Sequence, residues 1–451
     1  MIAFVLSTGL CGLAMPLFNQ LAGKTISTGI YSKPADMLTL LAIALVIGLL
    51  AGIYPALVLS SFRPIASLKG RFTSSRKGLV LRKGLVIVQF TISITLIIGT
   101  AVVYSELGYL RSRDLGFDKD RVLVVDTHND PHKRVFAQEV SGLSGVESAT
   151  FSGSVPGEGT WSAYSGVENN HGEMQIANLD LTYVDFGYLE QYRMKLLAGR
   201  FFRRDISTDT MQAMILNEKA VRLFGYASPA AAVGRRFEQW GKKGQIIGVI
   251  RDYNFNGLQQ EITPLSICLD FGDCSYLSLK VAGNRLPETI AALKKKWDRL
   301  GTPLPLDYFF LDEAFNEQYK SETKFGNLFI NFAILAIFIS CLGLLGLSSY
   351  STVQRTKEVG VRRVMGASVS GIVRLLSADF LRLVLIAFVI AAPLSWWLMG
   401  KWLQDFAYRV DMSWWIFLES GMAAVLIAFL TICYQAIKAA VASPVKSLRT
   451  E

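Results

Sequence analysis

FGNLFINFAILAIFISCLGLLGLSSYSTVQ, residues 325–354, runs without a single charged side chain. A helix needs roughly 20 mostly apolar residues to cross the hydrocarbon core of a bilayer, and this stretch exceeds that by nearly three turns. Outward from it, Gly84–Tyr104, Met37–Leu59, Leu383–Gly400 and Met412–Ile437 read the same way. Ile2–Leu17 joins them once the uncharged residues up to Ala22 are counted, and it lacks the basic lead and cleavage site of a signal peptide. Glu419 is the one charge inside any of the six; near the start of its segment, it is expected at interface depth. Across 451 residues, 51% are hydrophobic and 18% charged, well below the roughly 25% charged residues of soluble domains. With 13 Pro and 5 Cys, the chain is neither disordered nor a disulfide scaffold. The expected fold class is an α-helical integral membrane protein of six transmembrane helices.

The basic loops set the orientation. Residues 61–83 hold Arg63, Lys69, Arg71, Arg76, Lys77, Arg82 and Lys83 with no acid, and 354–374 hold Arg355, Lys357, Arg362, Arg363 and Arg374 against Glu358 alone. Loops rich in Lys and Arg stay in the cytoplasm, which places both loops and the C-terminus inside. Between Arg111 and Lys324 acids slightly outnumber bases, so the net +10 comes from the membrane flanks, and nucleic acid is not implied as a partner. Trp396, Trp397, Trp402, Trp414 and Trp415 bracket the short external loop as an interfacial belt.

These assignments divide the chain into 1–60 (two helices), 61–83 (basic loop), 84–107 (helix), 108–322 (external domain) and 323–451 (three helices with the loop 354–374). The external part is expected to be α+β. RVLVVD (121–126), ESATFSGS (147–154), QIIGVIRD (245–252), YLSLKVAG (276–283) and LDYFFLD (306–312) read as strands. PHKRVFAQEVSGL (131–143), NEKAVRLFG (217–225) and RLPETIAALKKKWDRL (285–300) read as helices, with Asn217 as an N-cap and Gly225 as a stop. Strand–helix–strand at 121–154 and again at 276–312 suggests a split βαβ lobe, with a β-rich lobe inserted over about 155–270.

The chain also repeats itself. YPALVLSSFRPIASLK (54–69) aligns with YQAIKAAVASPVKSLR (434–449), sharing Tyr54/Tyr434, Ala56/Ala436, Pro64/Pro444, Ser67/Ser447 and Leu68/Leu448. The first copy shows only two helices and a tail. A missing first half, encoded upstream or supplied by a second chain, is therefore expected.

Several stretches together carry a family resemblance: LRKGLVIVQFTISITLIIGT (81–100), IIGVIRDYNFNGLQQEITPL (246–265), RTKEVGVRRVMGAS (355–368), WLQDFAYRVDMSWWIF (402–417) and SPVKSLR (443–449). The chain resembles the FtsX-like, MacB-type permeases of ABC transporters, and in particular the C-terminal part of their long duplicated form. The resemblance implies a permease subunit in the bacterial cytoplasmic (inner) membrane. A separate cytoplasmic ABC ATPase, carrying the ATP and Mg, would drive it, and it would pair with a second permease half or form a homodimer. Movement would pass from the cytoplasm through the helices to the external domain (mechanotransmission). This chain would itself be no enzyme and bind no cofactor.

Under that resemblance the ATPase-coupling residues are Glu358, Val359, Gly360, Val361, Arg362, Arg363, Val364, Met365, Gly366 and Ala367. The residues themselves describe a short amphipathic helix: Val361, Val364 and Met365 share a face, Glu358, Arg362 and Arg363 offer ion pairs, and Gly366 ends it. A basic helix held by anionic membrane lipid reads equally well from position alone. Gly23-Lys24-Thr25 mimics the end of a P-loop, but Phe18 stands where the first Gly is required. Asp126, His128, Asp130 and His132 read as a solvated turn, since Pro131 bars a regular helix across them, and no metal is expected. Cys268 and Cys274 flank a short turn and are a candidate disulfide, while Cys11, Cys341 and Cys433 read as small apolar packers. Gly48 and Gly52, extended by Ala44, form a GxxxG helix-packing motif. A competing function is a membrane scaffold whose external domain binds a cell-wall hydrolase or a peptide. An anchored enzyme is disfavoured, because three His and no GxSxG leave no catalytic constellation.

Overall fold

The charge-free run at 325–354 lies within one unbroken helix of 35 residues in the computed structural model, which describes residues 2–22, 34–60, 76–257 and 260–441. In chain order the first helices are α1 (Ile2–Ala22), α2 (Pro34–Ser60) and α3 (Arg76–Ser112). Then come β1 (Val122–Asp126), α4 (Lys133–Ser141), β2 (Val146–Ser152), β3 (Trp161–Glu168), β4 (Met174–Val184), α5 (Tyr188–Gln191) and β5 (Leu196–Gly199). They are followed by α6 (Asp209–Gln212), β6 (Ala213–Asn217), α7 (Glu218–Leu223), α8 (Pro229–Ala232), β7 (Arg236–Gln239), β8 (Lys242–Ile250), β9 (Leu265–Leu269) and β10 (Tyr276–Val281). The last are α9 (Leu286–Arg299), β11 (Asp307–Phe310), α10 (Leu311–Gln318), α11 (Lys320–Gln354), α12 (Thr356–Val364), α13 (Val369–Leu403) and α14 (Trp414–Val441).

Among the described residues four helices are long and apolar enough to cross a membrane: Val80–Ser112, Lys320–Gln354, Val369–Leu403 and Trp414–Lys438. Four of the six expected spans meet that measure among the described residues. The first two segments do form helices, and Pro34–Leu49 of α2 is a shorter apolar helical stretch. The second expected segment in the C-terminal half, 383–400, is also longer than hydropathy suggested. Its helix begins at Val369 because 369–382 is amphipathic: Ile372, Leu376 and Phe380 are buried while Arg374 is exposed.

The chain separates into two units, one of Met1–Ser105, Ser321–Trp402 and Asp411–Glu451, the other of Glu106–Lys320 with Leu403–Val410. In the first unit, small residues let helices approach. A Cβ on Gly99 would lie 2.8 Å from the Phe329 ring, and one on Gly421 would lie 2.6 Å from Phe388. The buried hydroxyls of Ser93 and Ser340 meet at 3.0 Å. Close packing and hydrogen bonds of this kind are what join helices in lipid, where apolar surface alone supplies no drive. Side chains such as Ile334, Val389 and Leu430 are correspondingly left on the outside.

The second unit is built on one sheet of eleven strands. Strands β11, β1, β10 and β2 lie side by side, all antiparallel, with Val124 opposite Ser278 and Phe309. A single pair, Ser152 opposite Val184, joins them to the remaining strands. Those run β4, β3, β7, β8, β6, β9 and return to β4 through a parallel pair from Asp180–Leu265 to Val184–Leu269, with β5 added to β8. Closure leaves this six-stranded ring without free edges apart from the added strand. The buried core includes Trp297, set edge-on to Phe136 at 5.0 Å with its indole N–H on the Leu304 carbonyl. Asn217 caps α7 by accepting from the Ala220 amide at 3.0 Å, and Gly225 follows with φ +76°.

Candidate functional site

The residues expected to couple to a partner form α12 and its C-terminal cap. Seven of the ten called residues lie in the helix, and Met365, Gly366 and Ala367 close it. Glu358 stands in the first turn and Arg362 and Arg363 in the last, so each charge complements the helix dipole. Glu358 also pairs with Arg362 at 2.8 Å, four residues on. The sequence offered these two side chains outward for ion pairs; in the structure they are bonded to each other. Exposed pairs of this spacing contribute about 0.3–0.5 kcal/mol, a small support for a short helix.

The helix stops in a two-bond cap. The Gly366 amide donates to the Arg363 carbonyl at 3.1 Å and the Ala367 amide to the Arg362 carbonyl at 2.9 Å. Gly366 sits at φ +93°, a conformation that costs any other L-residue strain. Ala367, the next residue, turns back against the same apolar cluster that seats the helix.

That seat is narrow. Val359, 7% exposed, packs with Ile372 and Leu376 of α13 and Ala436 of α14, with Ala367, Val369 and Val373 around them. Arg355, just before the helix, bonds Asp379 of α13 at 2.9 Å. The opposite face is bare: Val361 is 47% exposed, Val364 67% and Met365 81%. A nine-residue helix therefore holds on by Val359 and presents three apolar side chains flanked by Arg362 and Arg363. Sequence reasoning found the exposed face. It missed the Arg355–Asp379 tether, because no local pattern links residues 24 positions apart.

The remaining candidates divide. Cys268 and Cys274, the candidate disulfide, are both buried and stand as free thiols in this structure. The Cys268 thiol points to Gln239 Oε1 at 3.5 Å and that of Cys274 to the Asp270 carbonyl at 2.8 Å, so each is engaged in its own direction. Burial pushes the Cys268 thiol up to about 12, and it pushes Cys274 up as well, so both stay protonated and poorly nucleophilic. Gly48 and Gly52 meet no atom within 4 Å of an added Cβ, so the GxxxG packs against nothing among the described residues. Asp126 and Asp130 spend their carboxylates on the backbone amides of His128 (2.8 Å) and His132 (2.7 Å), in a turn where His128 and Asn129 have positive φ. No group of three or more metal-ligating side chains gathers among the described residues. Glu419 is exposed on the second turn of α14. Gly23-Lys24-Thr25, residues 61–69 of the first repeat copy and 442–449 of the second lie outside the described residues.

Residues 330–444 match the family described as FtsX-like permease C-terminal. Comparison with the curated proteins returned no match. Among solved structures the chain is similar to the periplasmic region of MacB from Actinobacillus actinomycetemcomitans, at 14% identity and a TM-score of 0.33, covering 45% of this chain and 94% of that one. It is also similar to the extracellular domain of the noncanonic ABC-type transporter YknZ from Gram-positive bacteria, at 18% identity and a TM-score of 0.31, covering 42% and 99%. A domain of a putative permease protein from Porphyromonas gingivalis gives 17% identity, a TM-score of 0.31 and coverage of 43% and 90%.

Proposed function

We propose, for a chain whose residues 330–444 are an FtsX-like permease C-terminal domain, that it is the permease subunit of an ABC transporter driven by a separate cytoplasmic ATPase. In this reading ATP and Mg are bound by the partner, and this chain converts the partner's movement into movement of its external unit. The observation that carries it is α12: seated by Val359 on α13 and α14, tethered by Arg355–Asp379, and bare over Val361, Val364 and Met365. A helix held this way presents an apolar face rimmed by Arg362 and Arg363, suited to a groove with acidic edges. In this reading, which the Lys- and Arg-rich loops support, α12 lies in the cytoplasm, the second unit lies outside, and the helices cross the bacterial cytoplasmic membrane six times. A second copy, or a second permease half, would supply the other coupling helix of the assembly.

Co-purification from detergent-solubilised membranes tests this. The chain is expected to retain a P-loop ATPase, and Gly366→Trp is expected to lose it. At φ +93° a tryptophan is strained and the cap that orients Val364 and Met365 opens, while Val359 still has its seat. Retention of the ATPase by Gly366→Trp at wild-type yield would contradict the reading.

A further inference from the structure

Within the first unit, helices α3 and α11 leave a groove of about 430 Å³ between them. Arg82, Leu85 and Gln89 line it from one face of α3, and Leu342, Gly346 and Tyr350 line it from α11 at every fourth position. Glycine leaves the floor open. A Cβ on Gly346 would meet nothing within 4 Å, whereas one on Gly343 would lie 2.6 Å from Gln89 Oε1. Leu85 and Leu342 stand exposed along the rims. The volume falls in the roughly 300–1,000 Å³ range of small-molecule sites and far exceeds what one water needs.

Two polar groups face this groove without a protein partner to match them. The Arg82 guanidinium lies over the Tyr350 ring at 4.7 Å, but no carboxylate pairs with it among the described residues. The Gln89 carboxamide lies against Gly343 and has no hydrogen-bond partner among the described residues. Both helices are long and apolar enough to cross a membrane, and an unpaired amide on such a helix is costly. Leucine would line the groove more cheaply, so packing gives no reason for an amide there.

The spacing of the two groups fits one end of a phospholipid. The helix rises about 10 Å from Arg82 to Gln89. The polar layer on each side of the hydrocarbon is about 5–8 Å deep, and helical side chains lean toward the N-terminus, which brings the Gln89 amide closer to Arg82. With Arg82 at phosphate depth, the Gln89 NH2 group reaches the level of the ester carbonyls. Charge selects the head: residues 61–83 hold seven bases and no acid, so a headgroup amine finds no partner beside Arg82.

We propose that this groove binds one anionic phospholipid, its phosphate on Arg82 and an ester carbonyl on the Gln89 NH2 group. The glycerol sits over the open floor at Gly346, and the acyl chains leave past Leu342. Its assignment to the cytoplasmic leaflet rests on the permease reading.

Native mass spectrometry of the full chain, released from detergent with added phosphatidylglycerol or phosphatidylcholine, tests the site. Wild type is expected to retain one phosphatidylglycerol at least about tenfold better than phosphatidylcholine, as for a hydrogen bond to a charged group. Arg82→Ala is expected to remove that preference, while Arg374→Ala, which deletes an exposed cation of α13, keeps it. Gln89→Leu is expected to weaken both lipids about two- to tenfold with the preference retained, because both carry ester carbonyls. Gly346→Leu directs its side chain into open groove and is expected to abolish the adduct. Equal retention of the two lipids by wild type, or an adduct that survives Gly346→Leu, would overturn the proposal. Equal losses in Arg82→Ala and Arg374→Ala would do the same. So would a wild type that keeps no lipid but forms a dimer lost in Gly346→Leu, which would give the groove to a second copy. Failure of an ATPase to co-purify would contradict the permease reading alone, since lipid retention is read on the chain by itself.

Discussion

Trp297→Ala is expected to lower the stability of the second unit by about 3–5 kcal/mol, the range for deleting a large aromatic side chain from a packed core. Trp297 is 1% exposed, meets Phe136 edge-on, and satisfies its indole N–H on the Leu304 carbonyl. Truncation removes the apolar burial, the ring pair and that hydrogen bond together, and leaves a cavity under α4 and α9. Urea denaturation of residues 112–320, expressed without the apolar helices, reads the effect. Tyr164→Ala is the control: that side chain is 76% exposed on β3, and its loss is expected to change stability by no more than about 0.5 kcal/mol. Equal effects of the two substitutions would mean that the core is not organised around α4 and α9.

Val364→Asp with Met365→Asp is expected to abolish retention of the ATPase while leaving the fold intact. Both side chains are mostly in solvent, so the free chain loses no core contact and α12 keeps its Val359 seat. In the complex the same positions would be covered, and each carboxylate would enter the interface without a partner. At several kcal/mol per desolvated charge, a weakening of at least about 100-fold follows, which pull-down yields register as loss. The predicted signature is an unchanged circular dichroism spectrum with no ATPase in the eluate. Wild-type recovery would place the docking surface elsewhere.

The sequence was most informative where one property decides the structure locally. A charge-free run such as 325–354 has one physical solution in lipid, and Asn217 and Gly225 mark the two ends of α7 through their own backbone chemistry. Short apolar strands such as 121–126 read equally well, since Val122, Leu123, Val124 and Val125 are all buried. Non-local pairing was less legible. Nothing in β4 or β9 alone indicates that they run parallel and close a ring across 80 residues of chain. The start of α13 was hidden because its first turns are amphipathic and hydropathy averages them away. Of the site, the exposed face of α12 followed from helical spacing, whereas its seat depends on Ile372, Leu376 and Ala436, which meet only in three dimensions. Cys268 and Cys274 are close in sequence, and their side-chain partners, Gln239 and the Asp270 carbonyl, are apparent only in three dimensions.

Site-specific photo-crosslinking in living cells tests the central claim most directly. A photoreactive amino acid at Met365, the most exposed residue of the α12 face, is compared with one at Ile334, which faces outward from α11 within its charge-free run 325–354. The account predicts that Met365 yields an adduct containing a P-loop ATPase and that Ile334 does not. Absence of the ATPase from the Met365 adducts, or equal yield from Ile334, would contradict the assignment of α12 as the coupling helix.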